Sequence, residues 1–289
     1  MIKTLLSFGH GFSARALARR LIADGWTVHG TTRSAEKAEA IRETGVIPHL
    51  FPDPAGRDGV LAALESATHI LMSPAPNDGG DPVLAELGPQ IAAKSSSLDW
   101  AGYLSTTGVY GDHDGDWVGE DDPLTATTKR GRMRVAAEAE WRAIPDLPIH
   151  IFRLAGIYGP GRGPFEKVRA GTARRIIKPG QVFSRIHVED IAQVLQASIE
   201  RPNPGTAYNV CDNDPAPPQD VLAYAAELLG LPPPPEVPFD EADMSPMARS
   251  FYSDSKRVRN DRIRNELGVE LLYPDYRSGL ARLLAEEQE

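Results

Sequence analysis

The sequence predicts an α/β fold, a doubly wound parallel sheet with a small C-terminal lobe, from three observations. Short β-rich runs alternate with stretches of helical periodicity from Lys3 to Thr106. A glycine pattern, Gly9-His10-Gly11-Phe12-Ser13-Ala14, stands between the first such run and the first helix. Past Gly156 the alternation gives way to a Gly/Pro-rich texture.

The elements follow in order. Lys3 to Phe8 reads as a strand, and Ala14, Leu17, Ala18, Leu21 and Ile22 recur at helical spacing until Gly25. Thr27 to Thr32 is a second strand, followed by a polar helix from about Ser34 to Glu43. Gly45 to Phe51 is a third strand weakened by Pro48. Ala67 to Ser73, Asp99 to Thr106 and Pro148 to Gly156 are the fourth, fifth and sixth. Beyond them, Val188, Ile191, Ala192, Leu195 and Ile199 mark an amphipathic helix, and Ala207 to Val210 a short strand. Val221 to Leu229 is helical before Gly230 and the prolines 232–235, a stiff connection. A further helix is expected after the Ser/Asp start at Ser253–Ser255. The expected domains are residues 1–156, binding a dinucleotide, and 157–289, a mixed segment that returns to the sheet and forms the small substrate lobe.

Composition narrows the function classes. The chain has 289 residues, 41% hydrophobic, ample for a core. A lone Cys211 excludes an internal disulfide framework and a four-cysteine zinc site. The net charge of −9, with no Lys/Arg block, argues against nucleic acid. No apolar run reaches the roughly 18 residues of a membrane span, and the N-terminus runs into the glycine motif without a cleavage site. A cytoplasmic protein, monomer or homodimer, with a small-molecule partner and no membrane partner is expected.

The glycine pattern G-x-G-x-x-A has the strand–turn–helix context of a Rossmann-type dinucleotide site. Gly9 permits the tight turn, Gly11 lets the backbone approach a pyrophosphate, and the small Ala14 lets helix and strand pack closely. Phe12 and Ser13 open the helix whose N-terminal N–H groups would face the phosphates. A hydrolase elbow around Ser13 is rejected, because Arg15 stands where glycine is required. At the end of the second strand, where NAD sites usually carry a carboxylate, the sequence reads Gly30-Thr31-Thr32-Arg33-Ser34. Arg33, Ser34 and Lys37 suit a 2′-phosphate, so NADP is favoured over NAD. Thr32 and Ser73, at the ends of the second and fourth strands, complete the cofactor set together with Arg134.

LSTTGVYGD (Leu104 to Asp112), FRLAGIYGPGR (Phe152 to Arg162), RIHVEDIA and YNVCD follow the glycine turn in order. With these motifs the chain resembles the atypical and extended short-chain dehydrogenases/reductases, the NAD(P)-dependent epimerase/dehydratase family, to about residue 213. The resemblance implies a reductase, epimerase or dehydratase chemistry on a carbonyl or hydroxyl substrate, such as a sugar nucleotide. It assigns Thr106 to the substrate oxygen, and it places the family's Tyr-x-x-x-Lys pair on Arg130 and Arg134. Arginine stays protonated and cannot exchange protons near neutral pH. Tyr110, Tyr158 and His187 are the candidate substitute acids, with Tyr110 beside Thr106 as the expected catalytic group. Tyr158, Arg162, Arg185 and His187 are expected as substrate-binding residues, Arg162 and Arg185 for an anionic group. The Tyr252/Lys256 pair has the right spacing in the wrong part of the fold.

Two metal-like clusters fail. Asp112, Asp114 and Asp116 lack the Gly and Glu of a calcium loop, and HVED (His187 to Asp190) suits a helix start. No metal is expected. The competing class is a catalytically inactive NADP-binding redox sensor or partner-binding protein.

Overall fold

The computed structural model describes residues 3–288; Met1 and Ile2, which begin the N-terminal segment discussed above, lie outside them. Seven parallel strands form the central sheet: β1 (Thr4–Phe8), β2 (Thr27–Thr32), β3 (Ile47–Leu50), β4 (His69–Met72), β5 (Trp100–Thr106), β6 (Ile149–Leu154) and β7 (Ala207–Val210). Their spatial order is β7-β6-β5-β4-β1-β2-β3. Every residue of β1, β4, β6 and β7 is buried, as expected of strands covered on both faces. The Pro48 strand survives because β3 is the sheet edge, where a missing N–H costs no ladder bond.

Chain order reverses between β1 and β4, and this opens a crevice beyond their carboxyl ends. On one face, α1 (Phe12–Ala23) and α6 (Val188–Glu200) pack with Trp100, Phe152 and Tyr208. On the other face, α3 (Arg57–Ser66), α4 (Pro82–Lys94) and α5 (Lys129–Arg142) bury Phe8, Met72, Tyr103 and Ile149. The shorter α2 (Ala35–Arg42) contributes Ile41 to the first of these cores.

A third, separate core belongs to the small C-terminal lobe. There α7 (Pro218–Leu228) and α8 (Tyr276–Glu286) join Val168, Val221, Ala225, Leu280 and Leu283. One expected element is absent. After Ser255 the chain runs extended, as Arg257–Val258 pairs with Trp117–Val118, and the next helix begins only at Asp261. The Ser255 hydroxyl donates to the Gly180 carbonyl at 2.8 Å, a tertiary bond that replaces helix capping.

Candidate active site

The glycine turn is built against the end of β2. The Gly9 and His10 amides donate to the Thr31 hydroxyl and carbonyl, both at 2.8 Å. Gly9 has φ +67°, and a Cβ there would lie 2.9 Å from Pro74, so only glycine fits. His10 is folded under the turn on Gly30, where a Cβ would meet its ring at 2.7 Å. Burial, with Arg15 as the lesser cause, pushes the imidazole down to about 4. Gly11 differs, because a Cβ there meets only the Gly9 carbonyl at 3.6 Å. The space beyond it is open. No side chain caps α1, and its first turn holds no acid. Phe12, Ser13 and Ala14 thus begin a helix whose N-terminal donors have no anionic partner of their own.

Beside that terminus, Arg33 and Lys37 are exposed, and neither side chain has an ion pair or hydrogen bond among the described residues. Ser34 caps α2 by accepting from the Lys37 amide, and Thr32 accepts from the Ser34 amide, both at 3.4 Å. The Ser73 hydroxyl, just past β4, has no partner.

At the end of β5, the Thr106 hydroxyl accepts from the Gly108 amide at 3.1 Å, which leaves its own proton free to donate. Tyr110 stands otherwise than expected. It is fully buried, its hydroxyl donates to Asn209 at 2.7 Å, and Arg153 donates to it at 2.8 Å. Burial pushes the phenol up to about 12. With both sides of its hydroxyl engaged in the core, Tyr110 is a packing residue and is withdrawn as a proton donor. Arg153 also pairs with Glu138 at 2.9 Å, and Glu138 accepts from Ser105, giving a buried network across β5, β6, β7 and α5.

Arg134 donates to the Tyr103 hydroxyl at 2.8 Å and to the carbonyls of Leu104 at 2.7 Å and Pro74 at 3.3 Å. It therefore ties α5 to the carboxyl ends of β4 and β5. One turn earlier, Arg130 reaches away to Ser250 at 2.9 Å and lies over the Phe251 ring.

Tyr158, Arg162 and Arg185 line one cavity of about 300 Å³, closed by Val221 of α7 and by Tyr276 and Leu280 of α8. His187 does not line it. Its ring lies behind Tyr158, edge-on at 5.1 Å, and its Nδ1 caps α6 by accepting from the Glu189 amide at 3.2 Å. His187 is thus a buried wall residue and not a direct substrate contact. Val221, Tyr276 and Leu280 were missed in the sequence, although YPDYRSGL carries an Asp275 cap before apolar residues at helical spacing. Asp212 was also missed. It is buried beside Arg185 with Oδ2 unpartnered, and burial pushes its carboxyl up to about 8.

No family model matches the chain. Over 285 residues it is 30% identical to Protein YeeZ of Escherichia coli strain K12, spanning 95% of this chain and 97% of that one. A conserved protein of unknown function from Silicibacter pomeroyi superposes with TM-score 0.91 at 62% identity, over 99% of this chain and 100% of the other. A Methylobacillus flagellatus protein, provisionally assigned as an NAD-dependent epimerase/dehydratase, superposes with TM-score 0.75 at 27% identity, over 100% and 99%. The chain belongs to the atypical short-chain dehydrogenase/reductase, NAD(P)-dependent epimerase/dehydratase family. Arg130 and Arg134, expected at the positions of the Tyr and Lys, are both bonded to the protein itself.

Proposed function

We propose that this protein binds NADP at the glycine turn and carries out family-type redox chemistry on a carbonyl or hydroxyl carbon. The observation that carries the reading is the open space over Gly11 at an uncapped helix terminus, with unpaired Arg33 and Lys37 beside it. The residues suit the cofactor. Amides of Phe12, Ser13 and Ala14 would hold the pyrophosphate, and Gly9 keeps the turn tight enough to present them. Arg33, which stands where NAD sites usually carry a carboxylate, would pair with the 2′-phosphate, aided by Lys37 and the Thr32/Ser34 hydroxyls. Ser73, just past β4, and Arg134, tied to the ends of β4 and β5, would stand toward the nicotinamide end. A bound nicotinamide would supply or accept hydride. Thr106, with a free hydroxyl proton, orients the substrate oxygen by a hydrogen bond, while Tyr158, Arg162 and Arg185 hold the rest of the substrate.

Calorimetric titration with NADPH tests this directly, and saturable binding that Thr106→Val leaves intact is expected. Mixing with a carbonyl panel should then give slow NADPH oxidation that Thr106→Val lowers further. A fast enzyme indifferent to Thr106 contradicts the reading.

A second reading has its own observation. Arg130 and Arg134 are both engaged with protein groups, and the Tyr110 hydroxyl is sequestered. A protein that binds NADP as a redox sensor or partner-binding module needs no proton donor. Tight NADPH binding without hydride transfer to any substrate would favour it.

A further inference from the structure

We propose that the cavity beside Arg162 takes a small ring-bearing carboxylate, an aromatic or alicyclic acid, and excludes a sugar nucleotide. This deepens the function proposed above, on which it rests only for its catalytic meaning.

Three features of the cavity carry the proposal. Its volume of about 300 Å³ lies at the bottom of the range for small-molecule sites, roughly 300–1,000 Å³, and matches a single ring better than a nucleotide with its sugar. Its walls are apolar and aromatic: Tyr158, Pro164, Val221, Tyr276 and Leu280. None of the lining residues is a carboxylate or a side-chain amide. Buried sugar hydroxyls would find few acceptors there, and each unmet polar group costs on the order of 1–3 kcal/mol. A ring with one polar end meets no such difficulty.

The third feature is charge. Arg162 has no ion pair and no side-chain hydrogen bond among the described residues; its guanidinium rests on the Phe12 ring. Its fork is free for one bidentate carboxylate. Arg185 is more constrained, since its Nη1 donates to the carbonyls of Phe183 at 2.8 Å and Ala216 at 3.0 Å. Asp212, beside it, is buried, and burial pushes its carboxyl up to about 8. One guanidinium, that of Arg162, is therefore available for direct contact. Tyr158 adds a nearly free hydroxyl, whose one hydrogen bond, to the Asp275 carbonyl, is long at 3.5 Å. The phenol is held close to α8 because position 279 is glycine: a Cβ there would fall 2.1 Å from its oxygen.

The full-length protein, with and without saturating NADP⁺, is titrated with 4-hydroxybenzoate, cyclohexanecarboxylate, 4-hydroxybenzyl alcohol and UDP-glucose. Both acids should bind saturably, the alcohol at least tenfold more weakly, and UDP-glucose not at all. Arg162→Gln should weaken both acids at least tenfold, and Val221→Phe, which fills the cavity, should do the same. If Arg162→Gln fails to fold, Val221→Phe and the alcohol comparison decide. Failure of both acids to bind, equal binding of acid and alcohol, saturable UDP-glucose binding, or acid binding untouched by Val221→Phe each overturns the proposal. Absence of NADP⁺ binding in the same samples overturns the cofactor reading alone, because acid binding is measured without cofactor too.

Discussion

Arg162 lies over the ring of Phe12, its guanidinium carbon 5.7 Å from the ring centre. Phe12 opens α1, and the same ring lies against Gly159, where a Cβ would approach its edge to 3.1 Å. Phe12 thus links the glycine turn to Arg162, a lining residue of the cavity. Removing the ring with Phe12→Ala forfeits a cation–π contact of about 1 kcal/mol, close to fivefold in affinity. Calorimetry should find 4-hydroxybenzoate weakened by no more than about that factor, because Arg162 loses the ring it rests on.

Gly11→Val should abolish NADPH binding while leaving the fold intact. The backbone at Gly11, φ −100°, suits any residue, and no protein atom other than the Gly9 carbonyl lies near an added Cβ. The valine would occupy the space of the pyrophosphate. A melting temperature near wild type together with lost binding is the expected pair of results.

The buried network predicts unequal costs for its members. Arg153→Met strands the Glu138 carboxylate in the core and should destabilise by about 3–5 kcal/mol. Tyr110→Phe removes one hydroxyl and should cost only about 1–3 kcal/mol, with NADPH affinity unchanged. Urea denaturation of both variants gives the comparison. Lost cofactor binding in Tyr110→Phe would restore Tyr110 to the site.

Stability should peak near pH 7. Burial pushes His10, His69, His150 and His187 down to about 4. Each such histidine contributes stability that is present above its unfolded value near 6.5 and is lost as pH falls toward 4. Asp190, pushed up to about 6, and Asp212, up to about 8, act oppositely, losing their contribution as pH rises through those values. Near pH 5 the four histidines outweigh the two carboxyls by about two protons, so stability climbs with pH. Above about 7 Asp212 dominates and it declines. Urea midpoints at about pH 5, 7 and 8.5 should show this maximum, and Asp212→Asn should flatten the alkaline side.

The strands and the glycine turn were legible because their causes are local. Near-continuous apolar runs mark strands buried on both faces, and the turn needs glycine where φ is positive at Gly9. Tyr158, Arg162 and Arg185, expected together as substrate-binding residues, line one cavity, while His187 does not. Tyr110 could not be judged the same way. Its partners Arg153 and Asn209 are 43 and 99 residues away, and they meet it only because β6 and β7 lie next to β5. The segment after Ser255 misled for a related reason: its Ser and Asp side chains look like a helix cap, but Ser255 donates to the distant Gly180 carbonyl, Asp254 accepts from the Thr127 hydroxyl, and a neighbouring strand claims the chain.

The ratio of NADPH to NADH affinity, measured by calorimetry in wild type and in Arg33→Asp, tests the central claim most directly. A charge-assisted pair between Arg33 and the 2′-phosphate is worth about 1.5–3 kcal/mol, a preference for NADPH of at least tenfold. In Arg33→Asp the new carboxylate repels the phosphate and accepts from the ribose hydroxyl, so the preference should reverse. Equal affinities in wild type, or a ratio that Arg33→Asp leaves unchanged, would contradict the assignment of this crevice to NADP.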